Sequence, residues 1–134
     1  MAITLTHTAS SITLTLPDAL NWSDEYTWSA VQQAKTYTTT GALLIEEGTK
    51  QAGRPITLEG TINSTWVARS QLDQLRTWAQ TPGIALTITL RDISHTVTFD
   101  HEKGALQGLP VMFYADSAIA TDDWYYPTIR FIEL

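Results

Sequence analysis

Threonine alternating with apolar residues is the feature that most constrains how this chain can fold. The chain has 22 threonines among 134 residues. Many of them alternate with isoleucine or leucine, as in Ile12–Leu16 and Ile84–Leu90. A period of two places apolar side chains on one side of a strand and threonine on the other, where its β-branched side chain suits a solvated sheet face. The pattern therefore predicts a mainly β protein whose strands are buried on one side.

The same alternation and its interruptions predict about eight strands joined by short connections. Polar or glycine-containing stretches favour loops at Gly48–Pro55, Arg91–His95 and Asp116–Tyr126. The predicted strands are drawn from the segments Ile3–Thr6, Ile12–Leu16, Trp28–Thr40, Leu43–Glu46, Ile56–Ile62, Ile84–Leu90, Thr96–Phe99, Leu106–Tyr114 and Thr128–Leu134.

One segment changes to a helical period. Ala68, Leu72, Leu75 and Ala79 recur at i, i+4, i+7 and i+11, which predicts an amphipathic helix of about four turns. Ser64 or Thr65 is placed to cap its start, and Pro82-Gly83 ends it. The expected fold is mainly β (α+β): a single domain over residues 1–134, built as an antiparallel β-sandwich or open barrel with one flanking α-helix.

Composition excludes several classes of function. The net charge is −6 and only eight residues are basic, whereas nucleic-acid binding depends on lysine and arginine neutralising phosphates. The absence of cysteine excludes disulfides and zinc–thiolate sites. No apolar stretch approaches the roughly 20 residues of a membrane helix, and no signal peptide is visible. We therefore expect no membrane insertion and synthesis in a cytoplasm.

The titratable residues form no recognisable catalytic or metal-binding pattern. Asp100–Glu102 is the densest cluster, but adjacent residues at a strand end diverge, so a solvated turn is the favoured interpretation. The pairs Glu46-Glu47 and Asp122-Asp123 are also expected to be turn charges. There is no Gly-x-Ser-x-Gly, His-Glu-x-x-His or glycine-rich phosphate loop. The prediction is a protein that is not an enzyme and holds no cofactor or metal.

Two aromatic groups stand out. Trp124–Tyr126 could plug one end of the sandwich or could form an interface, since tyrosine and tryptophan are enriched in interface hot spots. The sequence leaves these two interpretations equally open. For Trp22, Tyr26 and Trp28, burial in the core is the expectation, because aromatic residues tend to be buried.

The order of the segments resembles that of a known family. Gly53–Gly60 leads into the single helix, Leu86–Arg91 begins a hairpin, and Trp124–Pro127 precedes a last strand ending in Phe131–Leu134. This order is similar to that of the distal tail proteins of long-tailed phages, which share a tail-tube-like domain. The resemblance implies a hexameric ring of identical subunits in the virion of a siphophage. The ring would join the tail tube protein to the tip, hub or baseplate proteins, and DNA would pass through its lumen without specific binding.

A closed ring requires two different surfaces on each subunit. The loops 41–54 and 116–126 are the candidates for these surfaces. An acidic protein also suits a channel through which DNA slides, because negative walls oppose phosphate binding. The predicted interface residues are Leu43, Leu44, Lys50, Arg54, Trp124, Tyr125 and Tyr126.

Two other functions remain as alternatives. The first is a monomeric carbohydrate-binding β-sandwich module that uses Trp124, Tyr125 and Tyr126 as its sugar platform. The second is a hydrolase that depends on His101 or Asp100.

Overall fold

A computed structural model of the chain describes residues 3–63, 65–112, 115, 118–120 and 123–134. These ranges contain eleven strands and one helix. In chain order the elements are β1 (Ile3–His7), β2 (Ile12–Leu16), β3 (Asn21–Trp22), β4 (Val31–Tyr37), β5 (Leu43–Thr49), β6 (Pro55–Glu59), β7 (Val67–Ala68), α1 (Arg69–Ala79), β8 (Leu86–Leu90), β9 (Ile93–Phe99), β10 (Leu106–Pro110) and β11 (Trp124–Glu133).

Nine strands form one antiparallel sheet with the order β2-β1-β8-β9-β11-β6-β3. Strand β11 is the longest and organises one half of the sheet: it pairs with β9 and β10 along one edge and with β6 and β7 along the other. The remaining strands, β4 and β5, pair with each other in a separate hairpin. The predicted class is confirmed as a mainly β, open antiparallel architecture with one helix. The additional strands beyond the predicted eight include two of only two residues.

The core follows the period-two pattern. Along β1 and β8, apolar residues are buried and the intervening threonines are partly exposed. The helix covers this side of the sheet with Leu72, Leu75 and Trp78. The sheet is strongly curved, since Ile3 and Leu90 line the same small cavity as Leu58 and Trp22, which lie on strands far away in the sheet order. The buried strand residues are Ile3, Leu5, Leu16, Ile56, Leu58, Val67, Leu86, Ile88, Leu90, Val97, Phe99, Ile129 and Phe131.

The helix begins later than predicted. It starts at Arg69 and has 11 residues, about three turns. Thr65 is fully buried, and its hydroxyl accepts a hydrogen bond from the Thr61 N–H and donates to the Thr61 carbonyl at 3.0 Å. Thr65 therefore holds a turn before β7 and does not cap the helix. The alternative cap, Ser64, lies outside the described residues.

The last strand begins earlier than predicted. Trp124–Tyr126, expected in a loop, are the first three residues of β11. Pro127 follows inside the strand, although proline lacks the N–H that a sheet requires. Its carbonyl accepts a hydrogen bond from the Gly60 N–H at 2.7 Å, just beyond the end of β6. Because the N–H and C=O of a strand residue point to the same side, the missing donor falls where β6 has ended and costs no ladder bond.

Two further predictions at the ends of elements are corrected. The turn expected over Arg91–His95 is only two residues long, with β9 starting at Ile93. Arg91 and Asp92 both have positive φ, 49° and 65°, which is the geometry of a tight two-residue hairpin turn. Tyr26, expected in the core, is 91% exposed.

Candidate interface surfaces

The β4–β5 hairpin is the most exposed part of the described structure. Every residue of both strands is exposed. At its base the Lys50 N–H donates to the Ala30 carbonyl at 2.7 Å, and the Lys50 ammonium lies 5.4 Å from the centre of the Trp28 ring. At its tip, Thr38 and Ala42 close the turn through a backbone hydrogen bond of 2.8 Å. The hairpin therefore extends from the body, with both of its faces in contact with solvent.

One face of the hairpin is more apolar than the other. Tyr37 pairs with Leu43, and Lys35 pairs with Ile45, so these side chains lie on the same side. On this side the Gln33 amide also donates to the Glu47 carboxylate at 2.6 Å. We call the four exposed residues Val31, Tyr37, Leu43 and Ile45 the apolar hairpin face.

A second exposed apolar surface lies on the outer side of the main sheet, where β7, β11 and β10 meet. The rings of Trp66 and Trp124 are 6.3 Å apart and tilted by 39°. The Trp66 indole N–H donates to the Ile62 carbonyl at 2.6 Å, which fixes the ring orientation. Leu109 is paired with Tyr126 on the same outer side. We call the exposed residues Ile62, Trp66, Leu109 and Trp124 the aromatic patch.

The predicted interface residues on the hairpin side separate into two groups. Leu43 and Leu44 are both about half exposed, but they are neighbours in a strand and therefore lie on opposite faces of the hairpin. Arg54 packs against its own chain: its guanidinium lies 4.6 Å from the centre of the Trp22 ring and donates to the Glu25 carbonyl at 3.1 Å. Lys50 belongs to the base of the hairpin.

The predicted aromatic run is divided by the alternation of β11. Trp124 is exposed on the outer side, and Tyr126 is half-buried on that same side. Tyr125 points toward the helix, where its hydroxyl accepts a hydrogen bond from Arg69 at 2.6 Å. Only Trp124 and Tyr126 can therefore contribute to an outer surface. The sequence gave no sign that Trp66 lies beside Trp124, because 58 positions of chain separate them.

The titratable residues occur as separate pairs. His95 Nδ1 lies 2.9 Å from a Glu133 carboxylate oxygen. The Glu102 N–H donates to the Asp100 carboxylate at 3.0 Å, and the intervening His101 is exposed. Within the described residues, no group of three or more histidine, aspartate or glutamate side chains could hold a metal ion. Asp122 lies outside the described residues.

One exposed ion pair fixes the tight turn. The Glu25 carboxylate accepts a hydrogen bond from the Arg91 guanidinium. This hydrogen bond and the Coulombic attraction of the same carboxylate raise the pKa of Arg91 above its usual value. The pair ties the β8–β9 turn to the segment that precedes the hairpin.

The cavities are small. One, of about 210 Å³, is lined mainly by apolar residues, with Asp18 and Arg91 as its charged members. Sites for small molecules usually measure about 300–1,000 Å³. In the described ranges, no helix has the length and apolar content needed to cross a bilayer.

The apolar hairpin face and the aromatic patch are therefore the two surfaces best suited to binding another macromolecule. Comparison with protein families, with curated proteins and with solved structures finds no match for this chain.

Proposed function

We propose that the chain is a structural subunit that assembles with copies of itself into a closed ring, most simply a hexamer. The ring would belong to the tip of a phage tail. There it would join the tail tube to the tip or baseplate proteins and surround the DNA channel. The proposed role is architectural and includes no catalytic step.

The exposed β4–β5 hairpin is the observation that carries this proposal. A two-stranded hairpin is at best marginally stable in water unless it packs against something else. Here both seven-residue strands are exposed and several of their large apolar side chains contact solvent. The free edges of a hairpin are also a template for unwanted pairing. Packing against a neighbouring subunit would stabilise the hairpin and remove both hazards.

Ring closure requires a second surface that differs from the first, because only a heterologous contact propagates in one direction around a ring. The aromatic patch is such a surface, on a different part of the chain. The placement in a phage tail is supported by two further features: the segment order that resembles distal tail proteins and the net charge of −6. Negative charge suits a DNA channel because it opposes adhesion of phosphates.

The placement in the tail is tested on purified virions of a phage that encodes the chain. We expect antibodies against the chain to label one end of the tail in electron micrographs. We also expect particles made without the chain to lack complete tails. Normal infectious tails in the absence of the chain would contradict the proposed role.

One observation favours a second candidate, a carbohydrate-binding module. Exposed tryptophan rings can stack on sugars, and Trp66 and Trp124 form an exposed pair in which one indole is held by its hydrogen bond to Ile62. In this case a monomer would bind an oligosaccharide on a glycan array, and Trp124→Ala would abolish the signal. The neighbouring Leu109 and Ile62 favour a protein partner over a sugar, because neither aliphatic side chain can hydrogen-bond to a hydroxyl.

A further inference from the structure

We propose that the apolar hairpin face of one copy binds the aromatic patch of the next copy. This inference rests on the proposed ring, and it specifies which two surfaces meet. The two surfaces are unlike and belong to different elements, β4–β5 on one side and β7, β10 and β11 on the other. Their contact would be heterologous, so each copy would use its hairpin toward one neighbour and its patch toward the other.

The two surfaces have matching sizes. A large apolar or aromatic side chain can bury about 150–250 Å². Each surface holds four such side chains that are roughly half exposed, so each presents on the order of 400 Å² of apolar area. A standard interface takes about 800 Å² from each partner, of which about 56–65% is apolar. The two surfaces therefore supply most of the apolar area that one such interface needs.

The chemistry of the two surfaces is complementary. The hairpin offers mainly aliphatic side chains, and the patch offers two tryptophan rings whose faces can receive them. Tryptophan and tyrosine are the residues most often found as interface hot spots. The orientation of Trp66 is already fixed by its hydrogen bond to the Ile62 carbonyl, so binding costs little side-chain entropy at that ring.

One charge pair can set the register. Lys35 lies on the same side of the hairpin as the apolar face and forms no hydrogen bond or ion pair with the described residues. Glu59 is exposed on the outer side of the sheet, opposite Thr128 and near the patch, and also has no such partner in the described ranges. The acid on the hairpin face, Glu47, is already held by Gln33. The unpaired lysine of one copy can therefore meet the unpaired glutamate of the next, which fixes orientation more than it adds affinity.

Cysteine cross-linking tests this contact directly, since the chain has no cysteine of its own. One preparation carries Leu43→Cys on the apolar hairpin face, and the other carries Leu109→Cys on the patch. A disulfide requires Cα atoms within about 7 Å. After mixing and mild oxidation, we expect a reducible product of two chains. The matched control is Leu44→Cys, which is similarly exposed but lies on the other hairpin face; its reaction with Leu109→Cys should be at least about tenfold slower.

A mixing experiment separates this inference from the proposed ring. Ile45→Asp blocks the hairpin, and Leu109→Asp blocks the patch; each variant alone should remain a single chain. An equal mixture should give a dimer of twice 14.9 kDa and nothing larger, because one intact half-site of each kind remains. If the wild-type chain forms rings while Leu109→Asp also forms them, the inference is wrong and the ring stands. If the wild-type chain neither assembles nor cross-links through Leu43→Cys and Leu109→Cys, both are contradicted.

Discussion

Ile45→Asp should prevent self-assembly while leaving the fold intact. Ile45 is about half exposed in the isolated chain, so an aspartate there meets water and costs the monomer little. In the assembled state the carboxylate would be buried against apolar side chains, where an unpaired charge is strongly unfavourable. Loss of an interface hot spot costs about 2 kcal/mol or more. The concentration for half-assembly, measured by light scattering after size-exclusion chromatography, should therefore rise by about 30-fold or more.

Leu44→Asp is the control for this experiment. Leu44 is the preceding residue, is exposed to a similar extent, and receives the same added charge, but it lies on the opposite face of the hairpin. Its effect on assembly should be at least several-fold smaller than that of Ile45→Asp. Equal effects of the two substitutions would mean that the hairpin acts through its charge or its edges and not through its apolar face.

Gly60→Ala should cause the largest loss of stability among single small substitutions in the chain. A Cβ atom at Gly60 would lie 2.7 Å from the Thr65 hydroxyl oxygen, 2.8 Å from the Pro127 carbonyl oxygen and 2.9 Å from the Pro127 ring. Backbone and a proline ring cannot move aside as a flexible side chain can. Overpacking of this kind costs typically 1–3 kcal/mol, and we expect about 3 kcal/mol here. With a slope of about 1–3 kcal/mol per molar urea, the unfolding midpoint should fall by roughly 1 M or more.

Gly48→Ala is the matched substitution. No atom lies within 4 Å of a Cβ atom at Gly48, and the residue lies in strand β5. Alanine restricts the unfolded chain, so the expected change is neutral or a gain of up to about 1 kcal/mol. If Gly60→Ala and Gly48→Ala have the same unfolding midpoint, the close approach of Gly60 to β11 is contradicted.

The parts of the fold that were predictable are those that depend on local periodicity. Ile84–Leu90 and Thr128–Leu134 carry strict alternation and form strands β8 and β11. The helix was found through the spacing of Leu72 and Leu75, and both residues are buried. Its start was misplaced because Thr65, a good capping residue in isolation, is used by the preceding turn.

Features that depend on pairing between distant segments were not predictable. Pro127 indicated a loop, and only the end of β6 at Glu59 explains why a proline can lie inside β11. The turn at Arg91 and Asp92 lacks the asparagine or glycine that normally indicates positive φ. The aromatic patch joins Trp66 to Trp124 across the sheet, and neither residue has a local pattern that indicates this contact.

The native mass of the purified chain across a range of concentrations tests the central claim most directly. One chain has a mass of 14.9 kDa, so six chains give 89.4 kDa. The proposed ring predicts one discrete species at this mass, with Ile45→Asp shifting it toward single chains. A single-chain species at every wild-type concentration, both alone and in a mixture with tail tube and tip proteins, would contradict the ring.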